Sequence, residues 1–422
     1  MDKKFTIINK RNLLLFFSIF CIYSGYAVGN KPVLCFGFAM VFLLLFSWHA
    51  AHNFFRDFRG DRLHYPRTFE NEQLRVKVRL EPGTSIPLYM LETVDTFPAG
   101  DSFWIKSLIP HKMNADTPIE QEYQVRCTRR RGVYILGPLK IRGSDPVGIF
   151  SREKELPVIT DLLLYPQAPD LDVFEVLEEG TLSQIGIETV LRPGHSEEFT
   201  GLREYHRGDY PNRIHWPSST RHEKLLVKEF REDISTEVTI LMDLHRLSLS
   251  GVGDVTTVEY IIKSAAAVSR KAIDKCHLVQ VYGLGEKVEH IPLGGGNRHL
   301  INILDRLTYL RAKGEGTFHE ALRKYAPMLK FGSTAVLISS ATNIKPSEIS
   351  PILRQMISRR IRVIVILIDD RSFIKFWKDQ GKHRRDAVPL GELKGILSEE
   401  GCGLFLISKG QEIRKRLQIP LA

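Results

Sequence analysis

Asp209, His215, Ser218 and Ser219 follow one another along a single short stretch. A carboxylate, an imidazole and a hydroxyl are the parts of acid–base hydrolysis: the first orients the second, which takes a proton from the third. No nucleophile-elbow spacing surrounds either serine, so nothing marks one as activated. The neighbours favour another role. Arg203, Glu204, Tyr205, Arg213, Trp216, Arg221, Lys228 and Glu229 crowd the same stretch, with Phe199, Leu202, Ile214, Leu226, Val227 and Phe230 interleaved. Aromatic side chains bury large areas, so the segment is expected to pack against something. Charges drawn into such packing must be paired, which predicts an ordered ion-pair network. A docking or structural role is therefore the preferred reading of Arg203, Glu204, Tyr205, Asp209, Arg213, His215, Trp216, Arg221, Lys228 and Glu229. A hydrolase using Asp209 and His215 is the alternative.

A second candidate lies at Asp243. From Glu237 onward short apolar runs alternate with stretches of helical spacing. Strands are expected over 238–242, 278–282, 288–292, 335–339, 363–368 and 403–407, and helices over 255–273, 297–310, 318–329, 346–359 and 389–399. That alternation predicts a parallel sheet covered on both faces, over 236–422. Ligands of such sheets sit beyond the carboxyl ends of the strands, and Asp243 ends the first one. Asp243 with His245 is a possible start for a transition-metal site, but no second ligand cluster exists, and an ordinary structural histidine is preferred. Gly294-Gly295-Gly296 lacks the Lys-Ser/Thr pair of a phosphate loop and reads as a turn. No cofactor is implied.

Upstream, Gln73–Leu80 alternates Leu74, Val76, Val78 and Leu80 with Arg75, Lys77 and Arg79, the pattern of a half-buried strand. Further strands are expected over 86–94, 103–109, 120–127, 132–141 and 158–165, giving an antiparallel β-sandwich over 63–166. An acidic linker over 167–193 leads to the signature segment, 194–235. The five cysteines include no Cys-x-x-Cys pair, so neither a zinc ribbon nor a redox pair is signalled.

Two charge-free apolar runs, about 13–29 and 33–50, are separated by Gly29-Asn30-Lys31-Pro32. Each approaches the roughly 20 residues that a spanning helix needs. A membrane hairpin over 1–62 is the expected reading, with a signal peptide as its competitor for the first run. Lys3, Lys4, Lys10 and Arg11 precede it, and Arg56, Arg59, Arg62 and Arg67 follow it, whereas the turn carries only Lys31. The positive-inside rule then places the soluble bulk in the cytoplasm of a multi-pass plasma (inner) membrane protein. Those arginines also suit anionic headgroups, which assigns part of the formal charge of +10 to the lipid bilayer. The other basic clusters, 129–131, 359–362 and 382–385, fall in different domains, so no nucleic-acid groove is expected.

Gly194, Glu198, Phe199, Leu202, Arg203, Glu204, Tyr205, Gly208, Asp209, Ile214, His215, Trp216, Ser219, Arg221, Leu225, Val227, Lys228, Glu229 and Phe230 match the signature of the family known as domain of unknown function 58, which this chain resembles. Tyr210, Asn212, Pro217 and Thr220 depart from it. The resemblance implies a membrane-tethered protein with a von Willebrand factor A-like domain that acts beside a MoxR-type AAA+ ATPase. It also implies where a magnesium site would lie. Of that ligand set only Asp243 and Thr317 match; His245 and Leu247 replace its serines, and Ser339-Ser340 stands where Ser-Asp is expected. One carboxylate beside Arg246 is a poor hard-cation site, so a non-enzymatic interaction or scaffold protein is the expected function. A metal-dependent binding module is a further alternative.

Overall fold

The computed structural model describes residues 10–53, 58–81, 91–109, 118–144, 148–171, 197–206, 211, 214–222, 224–232, 236–373 and 389–418. They form two compact units, Met1–Pro166 and Gln167–Ala422.

The first unit opens with α1 (Lys10–Val28) and α2 (Lys31–Asn53), both long and apolar enough to cross a membrane. Gly29, at φ +71°, makes the tight reversal between them. Small residues let the two backbones approach. A Cβ added at Gly25 would lie 2.7 Å from the Leu34 nitrogen, and one at Gly37 3.0 Å from that of Ile22. Ser18, Cys21 and Gly25 are buried on one face of α1, while Phe16, Phe20 and Phe42 point outward.

Among the described residues ten strands follow: β1 (Arg59–His64), β2 (Arg67–Phe69), β3 (Gln73–Glu81), β4 (Leu91–Thr96), β5 (Trp104–Ile109), β6 (Ile119–Arg126), β7 (Gly132–Leu136), β8 (Leu139–Ser144), β9 (Ser151–Leu156) and β10 (Thr160–Tyr165). They pair in the orders β1-β3-β6, β2-β10-β7 and β5-β4-β8-β9. Val76, Val78, Leu80, Leu139, Ile141, Leu162 and Leu164 meet in one core, which Ala51 and Phe58 join and against which Phe150 packs. Two details differ from a purely antiparallel arrangement of longer strands. β2 pairs with β10 in parallel. The run expected over 132–141 divides at Gly137-Pro138, where Gly137 takes φ +105° and Pro138 has no N–H to donate. Arg62 does not face headgroups either. Its side chain is fully buried; the guanidinium donates to Asp95 Oδ2 at 3.0 Å and to Thr160 Oγ1 at 3.1 Å, and also bonds Asp95 Oδ1. The Tyr123 hydroxyl donates to the same carboxylate at 2.6 Å, and burial beside Asp95 pushes its pKa well up.

In the second unit, β11 (Glu197–Glu204) and β12 (Leu226–Glu232) form an antiparallel ribbon with a bulge at Phe199/Gly201, and α3 (Trp216–His222) lies between them in sequence. Of the expected linker, 172–193 lies outside the described residues, while Leu171 is buried and the Ala168 carbonyl accepts from Arg270 at 3.0 Å.

The rest is β13 (Glu237–Asp243), β14 (Gly251–Val252), β15 (Val255–Thr256), α4 (Thr257–Asp274), β16 (Leu278–Leu284), β17 (Glu289–Gly294), α5 (Gly296–Tyr309), α6 (Phe318–Tyr325), β18 (Thr334–Ser340), α7 (Pro346–Ser358), β19 (Arg362–Asp369), α8 (Leu390–Glu399), β20 (Gly403–Ser408) and α9 (Ile413–Arg416). The sheet runs β17-β16-β13-β18-β19-β20. Its five inner and right-hand strands are parallel in the doubly wound order 2-1-3-4-5; β17 is antiparallel, against an expectation of uniform direction, because it follows β16 by a short hairpin. Pro292 sits on that edge strand. Leu241, Leu337, Val365 and Leu404 face α6, α7 and α8, while α4 and α5 cover the other side. The helix expected over 318–329 stops at Tyr325, because Pro327 cannot continue it, and a single 3-10 turn, Ala326–Met328, follows.

Candidate functional site

Among the described residues of the signature segment, two hydroxyls and an imidazole make fastening contacts. His215 stands just before α3, and its Nδ1 accepts from the Ser218 amide at 3.3 Å and pairs with the Ser218 hydroxyl at 2.8 Å. This is a local helix cap, with Pro217 in the first turn where no N–H is needed. Ser219 is buried; its hydroxyl donates to the His215 carbonyl at 2.9 Å and accepts from the Leu226 amide at 2.9 Å, tying α3 to β12.

Trp216 departs from expectation. The residue is 62% exposed. It is the first residue of α3, and the ties to β12 are made by its neighbours Ser219 and His215, so the indole is left outside the packing. Among the described residues an ion pair of this segment is exposed rather than buried. Glu204 pairs with Lys224 at 2.8 Å, with both side chains over 60% exposed. The hydrogen bond from Lys224 lowers the Glu204 pKa and raises that of Lys224. Arg203 donates to the Glu204 carbonyl at 3.1 Å and approaches His206 Nδ1 at 3.3 Å. Tyr205 and Lys228 are half-buried, and Arg221 is exposed. Asp209, Arg213 and the Glu229 side chain lie outside the described residues, so the Asp209–His215 pairing has no geometry here.

A dense polar cluster does exist, at the carboxyl end of the sheet. Asp243 is fully buried where β13 ends, between β16 and β18, the point at which the strand order reverses. Its Oδ1 accepts from the His245 amide at 3.1 Å and from His245 Nδ1 at 2.9 Å. Its Oδ2 accepts from Ser339 Oγ at 2.7 Å, from Asn343 Nδ2 at 2.6 Å and from the Ser248 hydroxyl. Asn343 also donates to Ser248 Oγ at 3.0 Å. Thr257 extends the cluster: its hydroxyl accepts from the Ser250 amide at 2.8 Å and donates to the Ser248 carbonyl.

Five donors on one carboxylate exceed its roughly four lone-pair directions. No lone pair of Asp243 is left for a hard cation. Thr317 does not supply another. Its hydroxyl lies 3.2 Å from His319 Nε2, and it opens α6 in a capping box with Glu320. Hydrogen bonds from Thr317 lower the Glu320 pKa, with smaller help from His319 and His245. Among the described residues no group of three or more His, Cys, Asp or Glu side chains is placed to hold a metal. The donor set therefore does not fit magnesium. Sequence reasoning saw Asp243, His245 and Ser339 but missed Ser248, Asn343 and Thr257. Their signal was weak: polar residues just past two strand ends.

The β13 end is also laced to its neighbours through backbone. The Leu244 amide donates to the Leu284 carbonyl at 2.7 Å, Arg246 to Gly314 at 3.0 Å and Lys313 to Leu244 at 2.9 Å. Gly316 packs on the His245 ring, where a Cβ would come within 3.0 Å of Nε2. The whole end is thus a closed, hydrogen-bonded latch.

Among solved structures, the chain resembles a CARDB domain from Pyrococcus furiosus at 9% identity and TM-score 0.19, over 26% of this chain and 92% of that one. It also resembles a GH20 exo-β-N-acetylglucosaminidase from Vibrio harveyi at 9% identity and TM-score 0.20, over 74% of this chain and 57% of that one. At such scores neither fixes the fold. A curated relative, the uncharacterized protein YeaD of Bacillus subtilis (strain 168), is 22% identical over 177 residues, 42% of this chain and 42% of its own length. Residues 201–373, from within β11 to just beyond β19, match the family model described as protein of unknown function DUF58.

Proposed function

We propose that the chain is a membrane-anchored, non-enzymatic docking protein whose signature segment engages a MoxR-type AAA+ ATPase. The observation that carries the reading is the exposed indole of Trp216, held on a short helix that Ser219 ties to β12. Tryptophan is among the residues that dominate binding energy at interfaces. An exposed one on a short helix that its neighbours tie to the ribbon is suited to a partner. Leu202 and Leu225 of the same segment are also over one-third exposed. The saturated Asp243 latch supports a binding over a catalytic role, because its carboxylate has no free lone pair to offer substrate or metal. The A-like character and the ATPase partner come from family resemblance. Two apolar helices flanked by basic residues support anchoring in the plasma membrane, with the soluble bulk in the cytoplasm.

The test is co-purification of the ATPase with the full chain in detergent. Trp216→Ala is expected to leave the melting temperature nearly unchanged and to reduce ATPase recovery at least about tenfold, as loss of a hot-spot tryptophan does. Undiminished recovery with a folded variant would place the docking surface elsewhere.

A further inference from the structure

A cavity of about 240 Å³ opens between the edge strand β17, the neighbouring β16 and the last turn of α5. Its floor is apolar and buried: Met242, Val281, Ile291 and Leu310. Gly283 keeps it open. A Cβ there would lie 3.6 Å from both Glu289 Cβ and Leu310 Cδ1 and 2.8 Å from Leu244 Cδ1, so any side chain would enter the space between strand and helix. The rim carries two opposite charges on two elements, Glu289 on β17 and Arg306 on α5. Among the described residues neither makes an ion pair or a side-chain hydrogen bond, and they do not pair with each other, since no such N···O separation falls within 4.0 Å. His290, also at the rim, is engaged elsewhere, stacked on Tyr282 with ring centroids 4.3 Å apart.

We propose that this pocket binds a free aliphatic α-amino acid, its side chain on the apolar floor, its carboxylate on Arg306 and its ammonium on Glu289. Size agrees: at roughly 30 Å³ per water the volume equals about eight waters, the scale of a solute with eight to ten non-hydrogen atoms. Chemistry agrees as well. An apolar floor with a few polar groups at its edge is the usual composition of a small-molecule site, and a guanidinium binds a carboxylate through two parallel N–H donors. A purely apolar ligand would engage neither rim charge, both of which are exposed, and an anion alone would meet Glu289. A zwitterion with an aliphatic tail satisfies all three surfaces. The pocket is independent of the Asp243 latch and of the docking reading of the signature segment.

The experiment is calorimetric titration of the full chain in detergent micelles with L-leucine, N-acetyl-L-leucine and L-leucinamide. Saturable leucine binding is expected, with each blocked analogue at least about tenfold weaker, because each lacks one charge-assisted contact. Arg306→Met should weaken leucine about tenfold while leaving leucinamide unchanged, and Glu289→Gln should do the same for leucine while leaving N-acetyl-leucine unchanged. Both side chains are exposed, so the variants are expected to fold, and their melting temperatures check it. Three results would overturn the proposal: no leucine heat at millimolar ligand, equal affinity for either blocked analogue, or leucine affinity unmoved by both substitutions in folded protein.

Discussion

Two buried carboxylates illustrate two ways of keeping a charge inside. Asp243 is held by hydroxyl, amide, imidazole and backbone donors, whereas Asp95 is held by the Arg62 guanidinium and the Tyr123 hydroxyl. Removing the first orphans several buried donors at once, so Asp243→Ala should cost about 3 kcal/mol or more, read as a lowered denaturation midpoint of the full chain in detergent. Arg62→Met leaves Asp95 buried without its counter-charge and should cost about 3–5 kcal/mol, whereas the double change Arg62→Met/Asp95→Leu should recover much of that loss. A double-mutant cycle measures the coupling, and simple additivity would contradict the pairing. The thiols give a pH dependence. Burial pushes both Cys127 and Cys402 from the ordinary 9.0 up to about 11, whereas Cys276 is exposed. Alkylation at pH 8 should therefore modify Cys276 and spare the other two, as peptide mass mapping would show. The sign of the linkage follows: above about pH 9 the unfolded chain releases these protons while the folded one keeps them, so stability falls as pH rises through that window.

At the scale of elements, the helical hairpin depends on bare backbone at Gly37 and Gly25. Gly37→Leu should push the helices apart and lower the melting temperature in detergent, whereas Val28→Leu, on an exposed position, should not. Period made much of this legible in advance. The alternation of Leu74, Val76, Val78 and Leu80 placed β3, and continuous apolar runs placed β13, β18 and β19, because those strands are buried on both faces. Breaks were less legible. Gly137-Pro138 divided one expected strand and Pro327 shortened a helix, although both prolines stand in the sequence as warnings. Pairing direction was not legible at all for β2 and β17, since direction belongs to the partner strand rather than to the residues. The site was readable only in part. Asp243 announced itself by ending the first strand of the sheet, but Asn343 and Ser248 reach it from loops whose approach no local pattern encodes. Trp216 was read as a docking or structural residue; aromatic chemistry alone argues for burial, and the placement of α3 is what leaves it outside.

For the whole molecule, the anchoring proposal has its own check. The chain should resist alkaline carbonate extraction and be shielded from protease in sealed right-side-out cells; release by carbonate, or cleavage of the soluble units from outside, would count against it. The edge strand β17 then acquires a meaning beyond topology. Molecules confined to a surface meet one another far more often than molecules free in solution, and an open strand edge is a template for joining identical chains. Pro292, in the irregular stretch of that strand between Ile291 and Gly294, has no N–H to offer a further strand. Pro292→Thr should accordingly leave each molecule folded yet promote higher-order association at high expression, visible as a shift to larger species in size-exclusion chromatography. One missing hydrogen atom on the rim of the sheet thus bears on whether a crowded population of these molecules stays dispersed.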